Sequence, residues 1–214
     1  MSAPHRWVST ETGPTRIKIC GITSHEQIDQ AAAAGADAIG LVQAAGSPRE
    51  VSPTLAAELF AATPADITPI TLLVNATEPA VQERPCDWVQ LHGDEDDAAT
   101  ERAAKRGPVI RAVSFEDRDA ILRWDRCESV TRLLIDSPRG GSGVAFDHAA
   151  FAEFADSLRT PWILAGGLTP ETVTDAITCL RPWGVDVSSG VESSHGVKDL
   201  GKIAAFCEAV RAAI

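Results

Sequence analysis

The 214-residue chain is short of positive charge. Lys and Arg total 19 against 30 Asp and Glu, for a formal net charge of -11. A broad nucleic-acid-binding face needs a basic field, so that class is excluded. A small anionic substrate is not, because backbone amides can bind a phosphate inside an acidic protein. No run of about 18 consecutive apolar residues occurs, so nothing in the sequence reads as a membrane span. There is no C-x-x-C pair, and the five cysteines (Cys20, Cys86, Cys127, Cys179 and Cys207) are odd in number and widely spaced. That excludes a disulfide framework or zinc site and reads as free thiols in a reducing cytoplasm. The five histidines are scattered, with no carboxylate pair at helical spacing beside any two, so no metal set is expected. G-x-G-x-x-G after the first strand, the phosphate loop ending in G-K-[ST] and the G-x-S-x-G elbow are all missing. The segment from Met1 to Thr15 lacks the apolar stretch of a signal peptide and reads as a loose extension over residues 1–15, ahead of one catalytic domain over 16–214.

What is present is a repeated strand–helix alternation. Apolar strands are expected at Arg16–Cys20, Asp37–Val42, Pro69–Val74, Asp87–Leu91, Pro108–Val113, Thr131–Asp136, Pro161–Ala165 and Val185–Ser188. Helices are expected at Thr23 or Ser24 to Ala34, after Ser52-Pro53, and over Glu78–Arg84, Glu95–Arg106, Glu116–Trp124, His148–Leu158, Pro170–Leu180 and Lys198–Ala213. Several strands are short runs of Ile, Val and Leu, as buried parallel strands should be. Eight such pairs closing on themselves make a (β/α)8 TIM barrel, near the small end of its size range. An echo of Gly35-Ala36-Asp37-Ala38-Ile39-Gly40 at Gly184-Val185-Asp186-Val187-Ser188 agrees, although any helix-to-strand connection can look alike.

In that fold chemistry sits where strands end. Glycine pairs follow the seventh and eighth strands at Gly166-Gly167 and Ser189-Gly190, where such barrels hold a phosphate, and Gly143 offers a further amide. Tight turns alone would also explain one such pair; two in adjacent loops favour phosphate. Cys20 and Asp136 end the first and sixth strands and are candidates for base and acid. Cys20 could equally be a small buried hydrophobe, and Asp136 a loop cap. Arg49, in Ser47-Pro48-Arg49, could clamp a carboxylate or be a solvated charge. His92 could donate a hydrogen bond or be structural, and Asp186 faces into or out of the barrel according to register. The chemistry expected is acid–base work on a phosphorylated small molecule, without metal or cofactor.

At these residues the chain resembles the phosphoribosylanthranilate isomerases of tryptophan biosynthesis. The segments that carry the resemblance are Lys18-Ile19-Cys20-Gly21-Ile22-Thr23, Gly35 to Gly40, Ser47-Pro48-Arg49, Val89-Gln90-Leu91-His92-Gly93, Leu134-Ile135-Asp136-Ser137, Gly140 to Gly143, Ala165-Gly166-Gly167-Leu168 and Asp186 to Glu192, in the family's order. The resemblance implies an Amadori rearrangement with Asp136 as general acid and Cys20 as general base. It implies that Arg49 holds the anthranilate carboxylate, that Asp186 contacts the substrate near the reacting atoms, and that Gly143, Gly166, Gly167, Ser189 and Gly190 surround the phosphate. A monomer or homodimer is implied, with no nucleic-acid or membrane partner. The chain departs from the family pattern at Gln43-Ala44-Ala45, where an aromatic-rich segment is usual, and at His148.

Two rivals remain on sequence. A histidine-pathway or bifunctional sugar isomerase resembles a barrel with aspartates in both the acid and base positions, and Cys20 argues against it. A non-catalytic phosphate-binding barrel would need neither Cys20 nor Asp136.

Overall fold

The computed structural model describes residues 6–9, 13–136 and 148–213. Eight parallel strands close in sequence order into a barrel. The strands are β1 (Arg16–Cys20), β2 (Ala38–Gln43), β3 (Thr68–Leu73), β4 (Trp88–Leu91), β5 (Val109–Ser114), β6 (Arg132–Asp136), β7 (Trp162–Ala165) and β8 (Gly184–Val187). The intervening helices are α1 (His25–Ala33), α2 (Pro53–Ala62), α3 (Glu78–Glu83), α4 (Asp97–Ala104), α5 (Arg118–Asp125), α6 (His148–Ala155) and α7 (Val173–Leu180). A short hairpin of β9 (Glu192–Ser194) and β10 (Val197–Lys198) precedes the closing helix α8 (Leu200–Ala212). No helix among the described residues is long and apolar enough to cross a membrane.

Strand alternation sorts the apolar residues into two layers. Ile17, Ile19, Ile39, Leu41, Leu133, Ile135, Leu164 and Val185 face outward and pack beneath the helices. Ala38, Ile70, Trp88, Ile110, Leu134 and Ile163 face inward. Polar side chains start the helices where the first amides need acceptors. Ser24 accepts from the Gln27 amide, Ser52 from Leu55 with Pro53 in the first turn, and Asp199 from Lys202.

Four differences from the sequence expectation have local causes. α4 begins at Asp97, not Glu95, because Asp96 caps the helix while Glu95 turns inward, 2.6 Å from Arg111 and 2.7 Å from the Asn75 amide. α7 begins at Val173 because Thr172 Oγ1 first closes a turn on the Thr169 amide at 3.0 Å. The β9–β10 hairpin is too short to show an alternation, and it turns at Gly196 with φ of +82°. The fourth is at the N-terminus. The loose extension expected over residues 1–15 does not hold at Trp7, which is completely buried.

Trp7 enters the N-terminal end of the barrel. Its ring stands edge-on to Trp183 at 5.0 Å between centroids and to Trp88 at 6.5 Å. The Arg132 guanidinium lies 4.5 Å from the Trp183 ring centroid and that of Arg16 lies 5.0 Å away. These cation–π contacts place two buried arginines against the Trp183 ring. Among the described residues the barrel is thereby stopped at one end, and a cavity opens at the other.

Candidate active site

At the open end a cavity of about 320 Å³ gathers residues from the first, second, third, fourth, sixth, seventh and eighth strand ends. Cys20 is inward-facing and 4% exposed, in contact with Val42, Leu72 and Ala44. It therefore packs as a small apolar side chain does while its sulfur still borders the cavity. β1 ends immediately after it. Gly21 has φ of +83°, and the amides of Gly21 and Ile22 both donate to the Gly40 carbonyl, at 2.9 and 3.0 Å. A Cβ at Gly21 would stand 2.6 Å from Cδ of Arg49. Glycine there lets the Arg49 side chain run across the strand end.

Arg49 is only 13% exposed, so it is not a solvated surface charge. Its Nε donates to Glu192 Oε1 at 2.6 Å and its Nη2 to Oε2 at 2.8 Å, a fork-to-fork pair. Glu192 also accepts from Lys198 Nζ at 3.0 Å and from the Gly196 amide at 3.0 Å. Burial alone would raise the Glu192 carboxyl, but the hydrogen bonds from Arg49, Gly196 and Lys198 outweigh it and hold the group at about 2. Lys198 is pulled the other way: burial lowers it, against the pull of Glu192 and Cys20.

Across the mouth, Gln90 and His92 project from the end of β4. Gln90 is fully buried, and its Nε2 lies 2.8 Å from His92 Nδ1. With Gln90 as donor, the ring hydrogen of neutral His92 resides on Nε2, which faces Asp136 Oδ2 at 3.5 Å. Asp136 ends β6 and is 41% exposed, within reach of a molecule in the cavity.

The loops after β7 and β8 line the opposite wall. Gly166 and Gly167 take φ of +85° and +65°. Ser189 begins a single 3-10 turn through Val191. A Cβ at Gly190 would collide with the Leu168 carbonyl, so the two loops touch only because Gly190 lacks one.

The question of register at Asp186 is settled: it faces inward, paired across the β1–β8 seam with Lys18. Lys18 Nζ donates to Asp186 Oδ1 at 2.9 Å. Cys20, Asp136, Arg49, His92, Asp186, Gly166, Gly167, Ser189 and Gly190 all border the one cavity, and Gly143 lies outside the described residues. Among the described residues no group of three or more His, Cys, Asp or Glu side chains could hold a metal ion.

Sequence reasoning assigned no role to Lys18, Gln90, Glu192 or Lys198. Lys18 carried a usable signal, since a lysine two positions from Cys20 on one strand must share its face. Glu192 and Lys198 carried none, because a fork pair between residues 143 positions apart has no local pattern.

The profile of the N-(5'-phosphoribosyl)anthranilate isomerases matches residues 17–209. N-(5'-phosphoribosyl)anthranilate isomerase of Leptothrix cholodnii is 43% identical over 206 residues, covering 92% of this chain and 91% of its own. The crystal structure of TrpF from Jonesia denitrificans is 41% identical with a TM-score of 0.83, covering 93% of this chain and 98% of its own. A phosphoribosyl anthranilate isomerase in complex with reduced 1-(o-carboxyphenylamino)-1-deoxyribulose 5-phosphate is 32% identical with a TM-score of 0.82, covering 92% and 99%. Fold, cavity and sequence therefore lead to one place: the chain belongs to the N-(5'-phosphoribosyl)anthranilate isomerase family.

Proposed function

We propose that Cys20 and Asp136 are the base and acid of the isomerisation for which the family is named. That reaction is the Amadori rearrangement of N-(5'-phosphoribosyl)anthranilate to 1-(2-carboxyphenylamino)-1-deoxyribulose 5-phosphate, in tryptophan biosynthesis. Asp136, protonated, gives its proton to the furanose ring oxygen; the C1–O bond breaks and a C1=N Schiff base forms. Cys20, as thiolate, takes the C2 proton, and its bond electrons form the C1=C2 bond of an enolamine. Tautomerisation removes the proton of the C2 hydroxyl and places one on C1, giving the ketone. Every step moves protons and no net electrons, so the reaction as written calls on no cofactor.

The observation that carries this reading is that a thiol and a carboxyl from strand ends on different sides of the barrel border one cavity with the glycine turns of β7 and β8. Gly167, Ser189 and Gly190 would hold the phosphate by main-chain and hydroxyl donors, with Gly166 shaping the same turn. Gly143 would join them. Arg49, already oriented by Glu192, would bind the anthranilate carboxylate through its remaining Nη1. Asp186 would meet the substrate beside the reacting carbons, and His92 would steady Asp136. The protein is proposed to act in the cytoplasm, as a monomer or homodimer, consistent with its unpaired cysteines.

Turnover of N-(5'-phosphoribosyl)anthranilate generated in situ, followed by loss of anthranilate fluorescence, tests it, with the histidine-pathway substrate in parallel. Cys20→Ala and Asp136→Asn should each lower kcat by about 10²–10⁴-fold while still binding the reduced product analogue. Near-normal kcat in either variant removes that residue from its role.

A further inference from the structure

Lys18 is completely buried and does not border the cavity, so the substrate cannot reach it. A buried ammonium is costly unless its surroundings use it. Asp186 accepts one of its hydrogen bonds at 2.9 Å. The rest of its surroundings are defined by Gly40, which pairs with Cys20 across the β1–β2 seam. A Cβ at Gly40 would lie 2.8 Å from Cys20 Sγ and 3.2 Å from Lys18 Nζ. Sulfur and ammonium therefore border the same small volume, left open because Gly40 has no side chain.

We propose that Lys18 is a positioning residue that favours the thiolate of Cys20 against the cost of burial, that Asp186 keeps Lys18 charged and aimed, and that Gly40 keeps the space between them clear. This rests on Cys20 being the base. It gives Asp186 a task through Lys18, separate from any contact its other oxygen makes with substrate.

The charges around Cys20 support this division. Burial pushes the Cys20 thiol up and prevails, and the Lys18 ammonium is the largest of the groups that oppose it. Asp186 on β8 pushes it further up, and Lys198 on β10, held by Glu192, pulls it down. Arg49 is a further cation within electrostatic reach of Cys20. For Lys18 itself, burial would favour the neutral amine, but Asp186 and then Cys20 outweigh it and hold it above the ordinary lysine range. Cys86 feels the guanidiniums of Arg84 and Arg106 and Cys207 that of Arg211, yet burial pushes these thiols to about 11 and about 12.

Thiolate absorbance of the native protein minus that of Cys20→Ser, followed against pH, isolates the titration of Cys20. The expected midpoint lies below those of Cys86 and Cys207. In Lys18→Met, measured against the Lys18→Met/Cys20→Ser pair, the midpoint rises by about one unit or more and neutral-pH kcat falls at least about tenfold. Affinity for the reduced product analogue stays within about threefold. An unchanged midpoint in Lys18→Met overturns the proposal. So does a native Cys20 that ionises only with Cys86 and Cys207, which is decisive even if Lys18→Met does not fold. Normal turnover by Cys20→Ser would instead remove the base assignment and leave the Lys18 titration to be judged by itself.

Discussion

Arg49 and Glu192 meet fork to fork at 2.6 and 2.8 Å, and they tie the loop after β2 to the hairpin after β8. The pair spans the barrel mouth beside the β1 terminus, where Gly21 lets the arginine pass. It fixes a planar cation at the cavity wall, the arrangement that the proposed carboxylate contact of Arg49 requires.

Glu192→Gln should therefore act on binding. The amide cannot accept from both arms of the guanidinium, and Arg49 is freed to move. KM for the isomerase substrate should rise about tenfold, with kcat within about threefold of native. Steady-state kinetics decide; a fall in kcat at constant KM would place Arg49 on the reacting atoms instead.

The same carboxylate sets an acid limit. Its pKa is about 2 in the folded protein against 4.5 for an ordinary glutamate, so the unfolded chain binds the proton first. Stability from this group is complete above pH 4.5 and is lost as pH falls from there towards 2. The urea midpoint of the native protein should fall more steeply across that window than that of Glu192→Gln. Parallel slopes would show that Glu192 is not the titrating group.

Gln90→Leu should separate activity from stability. The buried Gln90 amide fixes the His92 ring at 2.8 Å, but its own Oε1 has no partner among the described residues. An unpartnered buried carbonyl costs about 1–3 kcal/mol, which leucine removes. The variant should be at least as stable as native in urea while kcat falls about tenfold, because His92 is no longer held against Asp136. Loss of both together would mean that Gln90 serves only packing.

Trp7→Ala should leave an empty end in the barrel. Replacing a completely buried tryptophan costs about 3–5 kcal/mol. The site lies at the other end, so kcat at a temperature where the variant is folded should remain within about twofold. Denaturant unfolding and turnover measured on one preparation check both halves.

The barrel itself was legible because each of its strands is a short apolar run fed by a helix stop. Ser24, Pro53 and the strand end at Cys20 fell where their chemistry demands. The catalytic candidates were legible by position at strand ends. What was not legible depends on two distant segments meeting. Asp186 faces inward only because β8 pairs with β1 in a register that puts it beside Lys18, and nothing within β8 specifies that. Arg49 could be read as a carboxylate clamp or as a solvated charge, and what buries it is Glu192, from a hairpin of three and two residues. Trp7 was hidden for a different reason: a lone tryptophan in a polar segment has no periodicity, and its place is defined by Trp88 and Trp183.

That stopper also orders events in time. Trp7 precedes every strand of the barrel, yet its aromatic neighbour Trp183 lies immediately ahead of β8. The ring has no complete seat until β8 has joined β1. Sealing the barrel floor is thus a late step in folding, governed by the closure of the longest loop in the molecule. Until then a large indole ahead of β1 lacks its seat and is open to a chaperone or another unfinished chain.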